Sequence, residues 1–206
     1  MKRFAWIVVI ILATIGIAAA VRRILILENV MGSFAPPGAQ GFDSGFAKHP
    51  GLTFVHIIPG MLFMMLGPLL FVKKLREKNS NVYRWMRGIY FVAAYIIGFS
   101  ALLMSYTVSI GGANETAATT LFALLFLFSI SKALNHLMHK RMALHREWMI
   151  RGFAIGLAIA TVRPIIGMFF ALSKLSPHEF FGIAFWLGFT INLIAAEAWI
   201  NYTRAK

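Results

Sequence analysis

Long runs of apolar residues, separated by short polar connections, form the dominant pattern of this chain. A helix that crosses a membrane needs about 20 mostly apolar residues. Six runs are of this kind: residues 4–21, 51–72, 88–108, 117–134, 148–172 and 180–200. The pattern therefore predicts an all-α, polytopic membrane bundle of six transmembrane helices, with residues 1–206 forming a single integral membrane domain.

Composition supports a membrane protein and excludes an ordinary soluble domain. The chain is 59% hydrophobic and 13% charged, with a mean hydropathy of +0.75, whereas soluble domains carry about 25% charged residues. The net charge of +13 lies between the apolar runs rather than along a surface stripe. It therefore indicates contact with a lipid bilayer and not with nucleic acid. The absence of cysteine excludes disulfides, zinc thiolates and iron–sulfur clusters.

The distribution of basic residues predicts the orientation. In this layout 15 of the 20 Lys and Arg residues fall on one side, four on the other, and Arg163 within the bilayer. Since cytoplasmic connections are enriched in Lys and Arg, both termini are expected in the cytoplasm. The predicted location is the inner membrane of a bacterial cell.

The first run fits two interpretations. Its basic start and the sequence Ala18-Ala19-Ala20 also suit a secretory signal with a small-residue cleavage site. Its apolar core is long for a signal, which favours an uncleaved first helix. Residues 22–50 then form an outer loop, because prolines and glycines in this stretch argue against regular structure.

Two helix entrances resemble each other. Trp85-Met86 is followed by Arg87-Gly88, and Trp148-Met149 is followed by Arg151-Gly152. This echo fits a duplicated helix hairpin, in which helices two and three repeat as four and five. It equally fits the composition of a lipid boundary. Helices two to five are expected to form the core of the bundle.

The fifth helix carries an arginine inside its apolar run. His145, Gly152, Gly156, Ala160 and Arg163 share one stripe at helical spacing. Small residues at this spacing allow another helix to approach closely. We therefore expect Arg163 to point into the bundle rather than at lipid. The arginine fits either a structural role or an anion site, since charges within membranes are often functional.

His56 lies above Gly60 on one face of helix two. An imidazole with small residues beside it makes room for a flat cofactor such as haem b, but a single histidine is more often a core histidine that hydrogen-bonds a neighbouring helix. By residue count His56 and Arg163 lie at similar depths below the outer boundary, so they could share an outer pocket.

A second polar cluster is predicted at the inner boundary. It comprises His145, Arg151, Arg87 and Glu197, with Asn192 further along the sixth helix. A carboxylate facing lipid is unfavourable, so we expect Glu197 to pair with Arg151 or Arg87. His56 and His145 are the candidate metal ligands, and an inner site using His145 with His136 or His139 is the alternative arrangement.

These residues carry a family resemblance. The motifs are Phe46-x-x-His49-Pro50, His56-x-x-x-Gly60, Leu66-Gly67-Pro68, His145-Arg146-x-Trp148-Met149-x-Arg151, Arg163 and Asn192-Leu193-x-x-Ala196-Glu197. Over residues 46 to 197 the chain resembles a family of bacterial predicted membrane proteins of unknown function. That pattern has a histidine where this chain has Tyr83. The resemblance implies a multi-pass membrane protein and no established activity.

The sequence leaves three functional hypotheses open. The leading one is a protein that binds haem or a quinone-like cofactor for electron transfer or its assembly, with a membrane redox partner or a second copy as partner. The others are a transporter of a small anion or lipid, which would use Arg163, and a structural protein without a ligand. No hydrolase, kinase or dehydrogenase motif is present, which argues against an enzyme.

Overall fold

The structure of the protein is a computed structural model that describes residues 2–28, 45–78 and 80–204. These residues contain six helices that are long and apolar enough to cross a membrane. They are α1 (Lys2–Leu27), α2 (Pro50–Leu70), α4 (Ser80–Thr107), α5 (Gly112–Met138), α6 (Met142–Leu172) and α7 (Pro177–Arg204), with the short α3 (Lys73–Lys78) before α4. The prediction of an all-α membrane bundle with six spans is confirmed.

Most helices extend beyond the apolar runs that predicted them. α4 begins at Ser80 rather than at residue 88, and α6 begins at Met142 rather than at residue 148. Hydropathy marks only the part of a helix that lies in hydrocarbon, whereas the backbone hydrogen bonds continue into the headgroup region. The apolar runs therefore give the number of spans and not the ends of the helices.

α1 continues to Leu27, so the predicted loop does not begin at residue 22. The reason lies in Arg23, whose side chain is buried and whose guanidinium carbon lies 3.7 Å from the ring centroid of Phe46. This cation–π contact stabilises a charged residue within the last turns of the helix. Residues 29–44 of the predicted outer loop lie outside the described residues.

The first compact unit, Met1–Ile110, contains α1 to α4. α2 packs against both α1 and α4 in this unit. The rings of Phe63 on α2 and Tyr90 on α4 stack with their centroids 4.6 Å apart, and both side chains are fully buried. Stacked aromatic rings and small residues such as Ala94 form the centre of this helix pair.

The second compact unit, Gly111–Lys206, contains α5, α6 and α7, each of which packs against the other two. A Cβ atom added to Gly188 would lie 2.5 Å from Cγ2 and 3.1 Å from the backbone nitrogen of Val162. A Cβ added to Gly152 would lie 2.8 Å from Cδ1 of Ile130. These two glycines therefore let α6 approach both of its neighbours, as small residues do in membrane helix pairs.

The expected core of helices two to five spans both compact units and therefore stays a prediction. The boundary between the compact units falls at residues 110 and 111, which separates the third span from the fourth. Each unit contains three of the spans, and the helices within each unit pack against one another. That the whole chain is one membrane domain stays a prediction.

Large apolar side chains cover the outer faces of the helices. Val92, Leu103 and Ile194 are exposed over 63%, 61% and 63% of their surfaces. A soluble protein rarely exposes such extended apolar surface, whereas a bilayer solvates it. The spans therefore contact lipid.

Candidate functional site

His56 is held by a hydrogen bond to the neighbouring helix. It lies half-buried on α2, and its Nδ1 is 2.9 Å from the hydroxyl oxygen of Ser100 on α4. Ser100 is itself buried, and its hydroxyl donates to the carbonyl of Ile96 at 2.6 Å. A hydroxyl has only one hydrogen, so Ser100 accepts the proton of His56 Nδ1.

This arrangement fixes the form of the imidazole. With its proton on Nδ1, a neutral His56 carries a lone pair on Nε2. The ring also interacts with the backbone carbonyl of Ile97, which is a further acceptor for a ring N–H. Ser100 therefore holds the His56 ring in one orientation through Nδ1.

The space one turn along α2 is open. A Cβ added to Gly60, four residues after His56, meets no atom within 4 Å among the described residues. Gly60 is therefore not packed against a neighbouring side chain, and room for a cofactor beside His56 stays a prediction. The two positions lie on the same face of the helix, because residues four apart are neighbours.

Sequence reasoning did not identify Tyr90 as part of this region. Tyr90 is fully buried beside Phe63, which lies two turns from His56 on α2. Its hydroxyl has no hydrogen-bond partner among the described residues. A buried hydroxyl without a partner costs about 1–3 kcal/mol. The sequence does place Tyr90 one turn before the small residues Ala93 and Ala94. This pattern is also common where two helices simply pack together, so it did not indicate a site.

Arg163 is more exposed than the stripe on α6 predicted. His145, Gly152 and Ala160 are buried as expected, but the Arg163 side chain is exposed. Val162 is the last buried residue of α6, although Phe169 further along the helix still stacks on Phe180 of α7 with centroids 5.2 Å apart. Whether Arg163 points into the bundle therefore stays a prediction. Its pocket with His56 stays a prediction, since the two residues belong to different compact units.

His145 is buried near the start of α6, and its Nδ1 lies 2.7 Å from the carbonyl oxygen of Ala133 on α5. Because a carbonyl can only accept, Nδ1 carries a proton. His136 is also buried, one turn from Ala133, whereas His139 is exposed and contacts the carbonyl of Asn135. His145 is therefore oriented by the backbone of α5, whether or not it binds a ligand.

Glu197 forms the ion pair that the sequence predicted, and its partner is Arg151. The Arg151 Nε and Nη2 atoms lie 2.5 and 2.9 Å from the two carboxylate oxygens. The guanidinium also lies over the ring of Trp148, 4.6 Å from its centroid. Arg87, the other candidate partner, belongs to the first unit and lies 5.8 Å from the ring centroid of Tyr83.

A second ion pair at this end of the helices was not predicted. Arg204 on α7 donates to Glu147 on α6 through Nε at 2.5 Å and through Nη2. Glu147 also lies 4.0 Å from Arg151. The sequence could have indicated this pair, because Arg204 is a basic residue near the end of the last helix. The predicted layout placed Arg204 only in the C-terminal tail.

Asn192 is buried on α7 and satisfies both parts of its amide within this unit. Its Nδ2 donates to the carbonyl of Ala154 at 3.0 Å, and its Oδ1 accepts from the hydroxyl of Thr161 at 2.9 Å. Both partners lie on α6. The amide is thus used to join α6 and α7, which gives it a structural role.

The two similar helix entrances differ in their surroundings. A Cβ added to Gly88 meets nothing within 4 Å, whereas Gly152 is packed against Ile130. Trp85 is 76% exposed, but Trp148 is half-buried beneath Arg151. The matching residues of the two helix entrances therefore make different contacts in the two units. A true duplication stays a prediction.

The candidate metal ligands His56 and His145 lie in separate compact units. Within residues 2–28, 45–78 and 80–204, no group of three or more His, Asp or Glu side chains could hold a metal ion.

Comparison with known proteins identifies a family that the chain matches. Residues 53–200 match a protein family described as predicted membrane protein (DUF2306). The match extends from the second helix to the last one. No curated protein and no solved structure is significantly similar to the chain.

Proposed function

The chain belongs to this DUF2306 family of predicted membrane proteins, and from that premise we propose that it binds haem b in the membrane. His56 is the proposed axial ligand. The bound haem would serve electron transfer, or the assembly of a membrane protein that performs it. His145 is the candidate ligand of a second, separate site.

One observation carries this proposal: the hydrogen bond between His56 and Ser100. It places the proton on Nδ1 and leaves the lone pair on Nε2, which is the form of imidazole that binds iron. The open space at Gly60 lies on the same face of α2. A porphyrin ring needs such a gap between side chains.

The same geometry favours haem over a bare metal ion. A bare ion in a protein needs several side-chain ligands, and none of the described residues form such a group. Haem brings four nitrogen ligands of its own, so a single imidazole can anchor it. One oriented histidine is therefore a sufficient protein ligand to hold the haem iron.

Haem is also favoured over a quinone at this position. A quinone carbonyl accepts a hydrogen bond, so the protein must offer a donor to it. His56 already donates its Nδ1 proton to Ser100, and its Nε2 is an acceptor. The imidazole is thus prepared to bind a metal rather than to hold a quinone carbonyl.

Absorption spectroscopy of the purified protein tests the proposal. The full chain is produced in haem-replete cells, purified in mild detergent and examined for a Soret band. We expect haem in the wild type and little in His56→Ala. His49→Ala is the matched control, since His49 is an exposed histidine just before α2, and it should retain haem.

Two outcomes would contradict the proposal. A wild-type protein without a Soret band does not bind haem, and organic extraction of the same sample would show whether it holds a quinone instead. Equal haem content in wild type and in His56→Ala would remove His56 as the ligand. In that case His145→Ala shows whether the second histidine is responsible.

A further inference from the structure

A cavity opens at the start of α4, in the first compact unit. It is lined by Asn81, Arg84 and Trp85 and has a volume of about 450 Å³. These three residues lie within one turn of each other, so their side chains point to the same side of the helix. The cavity is remote in sequence from His56 and is not used in the proposed function.

The polar groups that line this cavity are mostly hydrogen-bond donors. Arg84 Nη2 donates to Asn81 Oδ1 at 2.5 Å, which uses the acceptor of the amide and leaves its Nδ2 protons as donors. The indole nitrogen of Trp85 is also a donor only. Within the described chain, Arg84 forms no ion pair with a carboxylate. The cavity therefore offers donors and a positive charge to a ligand.

The cavity belongs to a segment of the sequence that is strongly basic. The sequence from Lys73 to Arg87 contains six basic residues and one acidic residue, Glu77. The carboxylate of Glu77 lies 3.5 Å from the ammonium of Lys73, on α3. A ligand that fits this environment carries negative charge and hydrogen-bond acceptors, as a phosphate does.

The cavity also adjoins the apolar part of α4. Trp85 is 76% exposed, and Ile89 and Val92, which follow it along the helix, are exposed over 45% and 63% of their surfaces. Exposed tryptophan between basic and apolar residues is typical of the boundary between headgroups and acyl chains. The ligand would therefore have both a charged end and an apolar end.

From these observations we propose that the cavity binds the headgroup of an anionic phospholipid. The phosphate accepts hydrogen bonds from the Arg84 guanidinium and from the Asn81 amide. The Trp85 ring contacts the glycerol and the first part of the acyl chains. A guanidinium suits a phosphate because its N–H groups match two phosphate oxygens.

Native mass spectrometry of the full chain, with phosphatidylglycerol and phosphatidylcholine as ligands, tests this site. The wild type should bind the first phosphatidylglycerol more tightly than phosphatidylcholine. Arg84→Gln should weaken phosphatidylglycerol binding about fivefold, which corresponds to the ~1 kcal/mol expected of one basic residue at an anionic surface. Arg146→Gln removes an exposed arginine of the second unit and should leave this binding unchanged.

A second measurement reports directly on the tryptophan. In vesicles that contain brominated phosphatidylglycerol, part of the tryptophan fluorescence of the wild type should be quenched, and Trp85→Phe should remove that part. Brominated phosphatidylcholine should give less quenching of Trp85. This experiment does not depend on the charge of Arg84.

Three results would overturn the site. Equal losses in Arg84→Gln and Arg146→Gln would show only diffuse attraction by surface charge. Unchanged binding in Arg84→Gln would remove the guanidinium as the phosphate ligand. Displacement of phosphatidylglycerol by soluble glycerol phosphate would assign the cavity to free phosphate compounds rather than to lipid.

Discussion

Arg151 and Glu197 form a two-pronged ion pair between α6 and α7, with N–O distances of 2.5 and 2.9 Å. The pair is continued by Glu147, which lies 4.0 Å from Arg151 and is hydrogen-bonded by Arg204. Two arginines and two glutamates thus alternate across one end of the helix pair. A planar guanidinium that contacts both oxygens of a carboxylate is geometrically specific, so this contact fixes the register of the two helices.

The ion pair should contribute measurably to stability. The side chains of Arg151 and Glu197 are exposed over 16% and 41% of their surfaces, so the pair is only partly shielded from solvent. We expect a coupling free energy of about 1–2 kcal/mol, between the values for exposed and for buried pairs. A double-mutant cycle with Arg151→Ala and Glu197→Ala, followed by thermal unfolding in detergent, measures it.

Lys73 and Glu77 provide the control pair for this cycle. Their side chains are exposed over 77% and 58%, and the N–O distance is 3.5 Å. Such a pair along one helix should couple by less than about 0.5 kcal/mol. If the coupling of Arg151 and Glu197 is no larger than that of the control, the pair does not stabilise the contact between α6 and α7.

The number of spans and this ion pair could both be predicted from the sequence for the same reason. Lipid penalises polar groups strongly, so apolar runs must be helices, and a carboxylate among apolar residues must find a cation. Glu197 was expected to pair with Arg151 or Arg87 on this argument alone. The choice of Arg151 required the packing of α7 against α6.

Contacts that depend on the register between two helices could not be predicted. Ser100 follows His56 by 44 residues, and nothing in the sequence of either helix shows that they meet. The exposure of Arg163 was missed because helical spacing gives the face of a residue and not how closely a neighbouring helix covers that face. The packing of Gly188 against Val162 was missed for the same reason.

The contact of Gly188 with Val162 predicts an effect of adding one methyl group. Gly188→Ala would place a Cβ 2.5 Å from Cγ2 and 3.1 Å from the backbone nitrogen of Val162. Backbone atoms and a β-branched side chain cannot easily move away, so we expect a loss of about 1–3 kcal/mol in the free energy of unfolding. Thermal or denaturant unfolding in detergent provides the measurement.

Gly167→Ala is the control for this substitution. Gly167 lies on α6, and its added Cβ meets no atom within 4 Å among the described residues. Alanine is favoured over glycine in a helix by about 1 kcal/mol, so this protein should be as stable as the wild type or more stable. Equal destabilisation by both substitutions would show that the close approach at Gly188 is not the cause.

The predicted orientation can be tested because the chain has no cysteine. Ala113 lies in the first turn of α5, and Lys74 lies on α3. Both residues are exposed. An impermeant maleimide should label Ala113→Cys in intact spheroplasts, and Lys74→Cys only after the membrane is made permeable. Labelling of both proteins from the same side would refute the predicted layout.

Ser100 should affect the proposed haem site without being a ligand itself. Ser100→Ala removes the acceptor for His56 Nδ1, so the imidazole loses its orientation and part of its basicity. We expect haem binding to weaken about tenfold, as measured by titration of haemin into the haem-free protein. A less basic imidazole stabilises ferric iron less, so the midpoint potential of the bound haem should rise.

Ser105→Ala is the matched control, because Ser105 is a buried serine of α4 whose hydroxyl donates to the carbonyl of Leu102. If neither Ser100→Ala nor Ser105→Ala changes the haem affinity or the midpoint potential, the hydrogen bond from His56 to Ser100 has no role in binding the haem iron.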